Sequence, residues 1–409
     1  SSDLMVRTIV AAMTSDQKVA YEKDANYYST DNAVANPMGY LVEKVFKDKS
    51  GKALSELTSP WGGDSSTLRV FAKSLSKELA KVGAPAADKT GDSALKTGEN
   101  KELKQGLWFL KDVTTTDDTK GTNSIPIITP TTFDGAGSWG TVTLKNTTPT
   151  IDKKLVDSKD DGTYTPNTQP DYAVGDDVYY ELTSTVPVYT GYDIDSTMMD
   201  ATKTRIFKIN DTASKALTVS AGTVIESVKL TPAQGTAVTL VKDNDYTVTV
   251  ADYGDVNTPD TDAYKGGHVT TIDLGKYVNK AKGSKSATDG ILEGATVTVI
   301  VKAKLNKDAL ISEPGNLQKN PNKVDLEYSN HPEEVNHAHK VPGPEVPVYA
   351  YKFDILKTDK AGTTKLPGAK FTIKAVSGTS KHDGKYLGSY GKDGWSYLDS
   401  EPAVADTDG

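Results

Sequence analysis

Cysteine is missing from this 409-residue chain and arginine nearly so. Each scarcity excludes something. Without cysteine there is no disulfide framework, so the chain either belongs in a reducing compartment or is stapled by another kind of bond. Arg7, Arg69 and Arg205 are the only arginines, and the other 44 of the 47 basic residues are lysine. Little is left for bidentate recognition of phosphate. The net charge of −8 offers no basic face to nucleic acid. No run of about 18 apolar residues occurs, so no helical membrane span is expected. Five histidines leave little for acid–base catalysis. There is no phosphate loop, nucleophile elbow or zinc signature, so neither a cofactor nor enzymatic turnover is expected.

Thr, Val and Tyr dominate long stretches, and Tyr outnumbers Phe by 20 to 7, which is a β composition. Residues 1–147 are read as a β domain with helical insertions. Apolar spacing predicts helices from Leu4 to Met13 and from Leu68 to Val82, with Ser65 or Ser66 as a cap and Gly83 as a terminator. Strands are predicted at 106–113 and 124–128. Residues 148–345 read as an all-β sandwich, with turn signals at Asp160-Asp161-Gly162, Asp243-Asn244-Asp245 and Gly266-Gly267. Pro332, Pro342, Pro344 and Pro347 make 331–347 read as a stiff connector. Residues 346–409 read as a third, incomplete β domain. No signal-peptide pattern opens the chain and no closing strand pattern ends it, so both ends read as processed or trimmed.

Three predicted strands carry a polar residue where alternation calls for an apolar one. Ile151 and Leu155 put Lys153 on the inner face. Val324, Leu326 and Tyr328 do the same for Asn330, and Tyr349, Tyr351, Phe353 and Ile355 for Lys357. A buried ammonium must be paired, neutralised or used chemically.

These intruders fall within motifs of one family. Val142-Thr143-Leu144-Lys145-Asn146 is similar to a pilin motif, with Thr143 and Leu144 where the family has Tyr and Pro. Pro149-Thr150-Ile151-Asp152-Lys153 is similar to a crosslink-donor strand, and Leu326-Glu327-Tyr328-Ser329-Asn330-His331-Pro332 to an acceptor strand. Tyr351 to Asp359, followed by Leu366-Pro367-Gly368-Ala369-Lys370-Phe371, looks like the opening of a collagen-adhesin B module. The chain thus resembles the major (backbone or shaft) pilins of Gram-positive bacteria, which sortases assemble. The resemblance implies a mostly β fold of tandem immunoglobulin-like, Cna-A/Cna-B-type sandwiches, the first with helical insertions.

The resemblance also implies intramolecular Lys–Asn isopeptide bonds. Such a bond needs a neutral amine, an amide carbonyl and a protonated carboxyl packed in an apolar place. Lys153 is paired with Asn330; Lys154 is the alternative donor, but its parity points outward. Asp211 shares a face with Phe207 and Ile209 and is the first choice of acid, ahead of Glu181 and Asp193. Lys357 is the donor of the third domain, with no partner in this chain. Lys145, outward by alternation with Val142 and Leu144, is the residue a sortase would join to the next subunit. The implied protein is a covalent homopolymer of an extracellular, cell wall-anchored pilus, with the sortase and a host glycan or matrix protein as partners. The alternative is an adhesin or tip pilin built from the same modules. Two metal readings are weaker: His337-Ala338-His339, and Asp157, Asp160 and Asp161 before Gly162, whose spacing is not that of an EF-hand. No metal site is expected.

Overall fold

The computed structural model describes residues 2–46, 67–81, 83–86, 106–113, 123–130, 148–168, 170, 172–189, 192, 204–279, 291–332, 335–352, 354–376, 382–391 and 394–403. The fold is mostly β, with antiparallel sheets and a few short helices.

Four helices open the chain: α1 (Ser2–Ala12), α2 (Ser15–Glu22), α3 (Pro37–Tyr40), which runs into a π-helical turn (Leu41–Val45), and α4 (Thr67–Leu79). A capping box starts α2, where the Thr14 hydroxyl accepts from the Gln17 N–H and the Gln17 side chain accepts from the Thr14 N–H. In α4, Leu68, Phe71, Ala72 and Leu75 are buried at helical spacing and form one stripe. That stripe shares a core with Ile9, Tyr21, Leu41 and Ile128. Ile128 belongs to a hairpin of β1 (Leu107–Leu110) and β2 (Ile127–Pro130). Both expected helices and both expected strands are therefore present, while the proposed caps Ser65 and Ser66 lie outside the described residues.

A two-sheet sandwich follows. One sheet holds β3 (Asp152–Ser158), β4 (Tyr164–Pro166), β5 (Asp177–Thr185), β7 (Leu217–Thr218), β8 (Ile225–Thr231), β9 (Val238–Thr239) and β12 (Thr296–Leu305), in the order β4-β3-β5-β12-β8-β9 with β7 also on β12. The other holds β6 (Phe207–Ala213), β10 (Thr247–Asp252), β11 (His268–Asp273), β14 (Asn322–Ser329) and β15 (Ala338–Glu345), in the order β10-β11-β6-β14-β15. A short helix, α5 (Gly275–Val278), follows β11. Inner faces alternate as strands require: Val178, Tyr180 and Leu182 are buried on β5, and Val297, Val299 and Val301 on β12. They pack against Phe207, Ile209, Val324, Leu326 and Tyr328 of the second sheet.

Two expectations change here. The segment read as a proline-rich connector contains a strand, β15, paired with β14. Pro342 and Pro344 are tolerated because β15 is at the sheet edge, where a missing N–H leaves no ladder bond broken. The face of the next segment is also inverted. Val348 and Ala350 are buried in the sandwich core, whereas Tyr351 is 71% exposed. Ala350 lies in β16 (Ala350–Tyr351), which pairs in parallel with β13 (Ile311–Ser312). A final hairpin, β17 (Tyr386–Gly391) and β18 (Gly394–Leu398), meets the sandwich through the Trp395 N–H, which donates to the Val174 carbonyl, and through His382 Nε2, 3.0 Å from both Asp176 carboxylate oxygens.

Candidate functional site: a buried lysine, aspartate and asparagine

On β3, Asp152 and Lys154 face solvent, while Lys153 and Leu155 face inward. Lys154 forms an exposed ion pair with Glu181 at 2.7 Å, which places both on the outer face. Lys153 cannot reach solvent. Its side chain and that of Asp211 are both fully buried, and Nζ is hydrogen-bonded to Asp211 Oδ1.

Asp211 is carried by β6, whose residues Phe207, Ile209 and Asp211 share the inner face. It sits opposite Val324 of β14 and Thr270 of β11. The second carboxylate oxygen, Oδ2, accepts from Asn322 Nδ2 at 3.1 Å. Asn322 opens β14 opposite Ala213, diagonal to Asp211, and is fully buried. The Tyr180 ring forms a wall of the site, with its centroid 4.3 Å from Lys153 Nζ. One carboxyl group thus bridges a lysine amine and an asparagine amide between the two sheets.

Burial lowers the Lys153 pKa, opposed by the attraction and hydrogen bond of Asp211. Loss of water raises the Tyr180 pKa well above the phenolic range, and the nearby Asp211 charge adds to the effect. The Tyr180 hydroxyl and Asn322 Oδ1 are both buried without a hydrogen-bond partner.

The fold therefore brings Lys153 together with Asp211, but not with Asn330. Asn330 lies beyond the other end of β14, eight residues from Asn322 and about 27 Å away along an extended strand. It is buried too, but its N–H donates to the His337 carbonyl, its carbonyl accepts from the Asn123 N–H, and Oδ1 lies 3.0 Å from His337 Nδ1. Asn322 was missed although it shares parity with Val324, Leu326, Tyr328 and Asn330. Alternation names both ends of the strand equally, so the signal was present but ambiguous.

The remaining candidates are placed as follows. Lys357 is exposed, as are Ile355 and Leu356 beside it, and its carbonyl accepts from the Leu366 N–H. Lys145 and Asp193 lie outside the described residues, as does all of 142–146. Asp161 is a turn residue whose Oδ1 accepts from the Thr163 N–H and hydroxyl. His331, His337 and His339 gather near β15, but no cluster fit to hold a metal occurs among the described residues. None of the described helices is long and apolar enough to cross a membrane.

No protein-family model matches the chain, and no curated protein matches it. Solved structures do. The full-length major pilin SpaD of Corynebacterium diphtheriae is 18% identical over 60% of this chain and 46% of its own, with a TM-score of 0.34. The major pilin subunit BcpA of Bacillus cereus is 15% identical over 61% of this chain and 56% of its own, with a TM-score of 0.35. The T6 backbone pilin of Streptococcus pyogenes is 17% identical over 61% and 47%, with a TM-score of 0.33. The chain spans about half the length of these pilins.

Proposed function

We propose that this chain is the structural subunit of a covalently polymerised pilus, stiffened by an internal amide bond between Lys153 and Asn322. One observation supports this above all: a lysine amine and an asparagine amide share one carboxyl group in a site closed to solvent. An ordinary ion pair gains little from such burial, because desolvation offsets most of the attraction. A buried amine held against an amide is, in contrast, arranged for acyl transfer.

The proposed reaction starts from the neutral pair, with the proton on Asp211 and a free amine on Lys153. The Nζ lone pair attacks Cγ of Asn322, and the carbonyl electrons move onto Oδ1. On collapse the Cγ–Nδ2 bond breaks. Nδ2 takes up the proton that Nζ loses, relayed by Asp211, and leaves as ammonia. The event happens once per molecule, so it is not enzyme turnover.

The crosslink would join β3, the first strand of the sandwich, to the start of β14. A pull on the chain ends would then pass through the amide. The wider proposal follows the sequence motifs: three consecutive domains at 1–147, 148–345 and 346–409, with Lys145 joined by a sortase to the neighbouring subunit on the outside of the cell wall.

Intact mass under denaturing conditions, followed by peptide mapping, tests the bond. A deficit of one ammonia, with the Lys153 and Asn322 peptides joined, is expected; a mass equal to the plain sequence overturns it. Polymerisation of Lys145→Ala with the cognate sortase tests the assembly, and wild-type polymer from that variant would overturn the role of Lys145.

A further inference from the structure

Among the buried polar atoms around Asp211, the Tyr180 hydroxyl, Asn322 Oδ1 and Thr270 Oγ1 have no partner. Buried polar atoms without a partner call for an explanation. The present amide orientation turns Nδ2 towards Asp211 Oδ2. The Asn322 amide is among the groups that act on the buried Tyr180 hydroxyl, lowering its pKa against the upward push of burial. The oxygen and nitrogen of an asparagine amide exchange places by a half-turn of the group. After that half-turn, Oδ1 occupies the position that faces both Asp211 and Tyr180.

We infer that Tyr180 is a catalytic residue of the crosslinking reaction, its hydroxyl and the protonated Asp211 together donating to Asn322 Oδ1 as negative charge develops there. The inference rests on the Lys153–Asn322 bond proposed above and adds a second donor to it. Two donors fixed in place in a dry site act where the charge appears, and neither must reorganise. Tyr180 is held by register, opposite Leu155 on β3 and Val301 on β12, and its side chain is fully buried. The same residue also stacks its ring beside Lys153 Nζ, so one side chain touches both reacting groups. Burial pushes the pKa of the hydroxyl well above the phenolic value, which favours its donor form. The tyrosine is unchanged at the end of the reaction, since the proton balance runs through Nζ, Asp211 and the departing ammonia.

The test is the rate of ammonia loss after cell-free synthesis of the full chain, read by intact mass, for wild type, Tyr180→Phe and Tyr328→Phe. Tyr328 is a second fully buried tyrosine on an inner face, also with an unpartnered hydroxyl, so it controls for loss of a buried hydroxyl away from the site. Tyr180→Phe is expected to slow crosslinking by about 100-fold, the usual effect of removing one oxyanion donor. Tyr328→Phe is expected to match wild type. Equal rates in wild type and Tyr180→Phe overturn the role of Tyr180 while leaving the crosslink standing. Equal slowing by both variants also overturns it, because the effect would then be on packing. A wild type that never loses ammonia sinks both proposals. Circular dichroism of each variant shows whether a slow rate comes from failure to fold.

Discussion

Asp211 and Asp325 lie on neighbouring strands one register step apart and point to opposite faces of the same sheet. Asp211 pairs across from Val324, and Asp325 from Asn210. Each aspartate bridges a lysine and an asparagine. On the inner face these are Lys153 and Asn322. On the outer face Lys340 Nζ is 3.0 Å from Asp325 Oδ2, and Asn210 Nδ2 donates to Asp325 Oδ1 at 2.8 Å. The residue types are identical, but the Lys340 side chain is 64% exposed and that of Lys153 is fully buried. Burial lowers the pKa of Lys153 and so favours its free, nucleophilic amine.

The outer trio should therefore stay unreacted. Peptide mapping of the wild-type protein is expected to find the Lys340 and Asn210 peptides separate while the Lys153 and Asn322 peptides are joined. A link between Lys340 and Asn210 would show that proximity outweighs desolvation.

The identity of the acceptor separates two single variants. Asn322→Ala is expected to abolish the loss of ammonia, and Asn330→Ala to leave it intact. Closing the long loop between residues 153 and 322 should stabilise by about 5 kcal/mol on the chain-entropy treatment of crosslinks. Denaturant unfolding of Asn322→Ala should show a fall of that order. A drop well under half as large would mean that the bond adds little beyond packing.

Crosslinking should follow the ionisation of the buried amine rather than that of an exposed lysine. Burial moves Lys153 below the ordinary lysine value of 10.5. A lowered value means that the neutral amine appears at lower pH, so the rate should rise with pH below 10.5 and fall again once the proton that Asp211 shares with it is also lost. Rates during refolding of chemically denatured, uncrosslinked chain at a series of pH values check this. A tenfold rise per pH unit continuing up to 10.5 would mean that Lys153 is still solvated when it reacts.

Gly343 lets the edge strand close over the site. A Cβ there would lie 2.6 Å from Ile151 Cγ2, 2.7 Å from Val324 Cγ1 and 3.0 Å from the Val324 carbonyl oxygen. Ile151 is two residues from Lys153, and Val324 two from Asn322. Gly343→Ala should cost about 1–3 kcal/mol by overpacking and should also slow crosslinking, because both reacting strands must shift. Thermal melting and intact mass together check this, and unchanged values in both would show that the strands yield freely.

The sequence by itself determined several of the strands and which of their residues break the pattern. Alternation put Lys153 inside with Ile151 and Leu155, put Asp211 inside with Phe207 and Ile209, and turned Lys154 outward, and the structure places all of them so. Helical spacing located α1 and α4 for the same reason: burial of one face repeats with a fixed period. Tertiary structure decided the rest. Parity recurs every two residues, so it could not choose between Asn322 and Asn330; the register of β14 on β6 did, by laying one end of the strand across Asp211. Composition marked Pro342 and Pro344 as connector residues, yet an edge position makes them compatible with a strand. The parallel pairing of β16 with β13 turned Val348 and Ala350 inward instead of Tyr351. Periodicity is a property of one segment, whereas the meeting of three side chains depends on how three segments are aligned, and only long-range packing fixes that alignment.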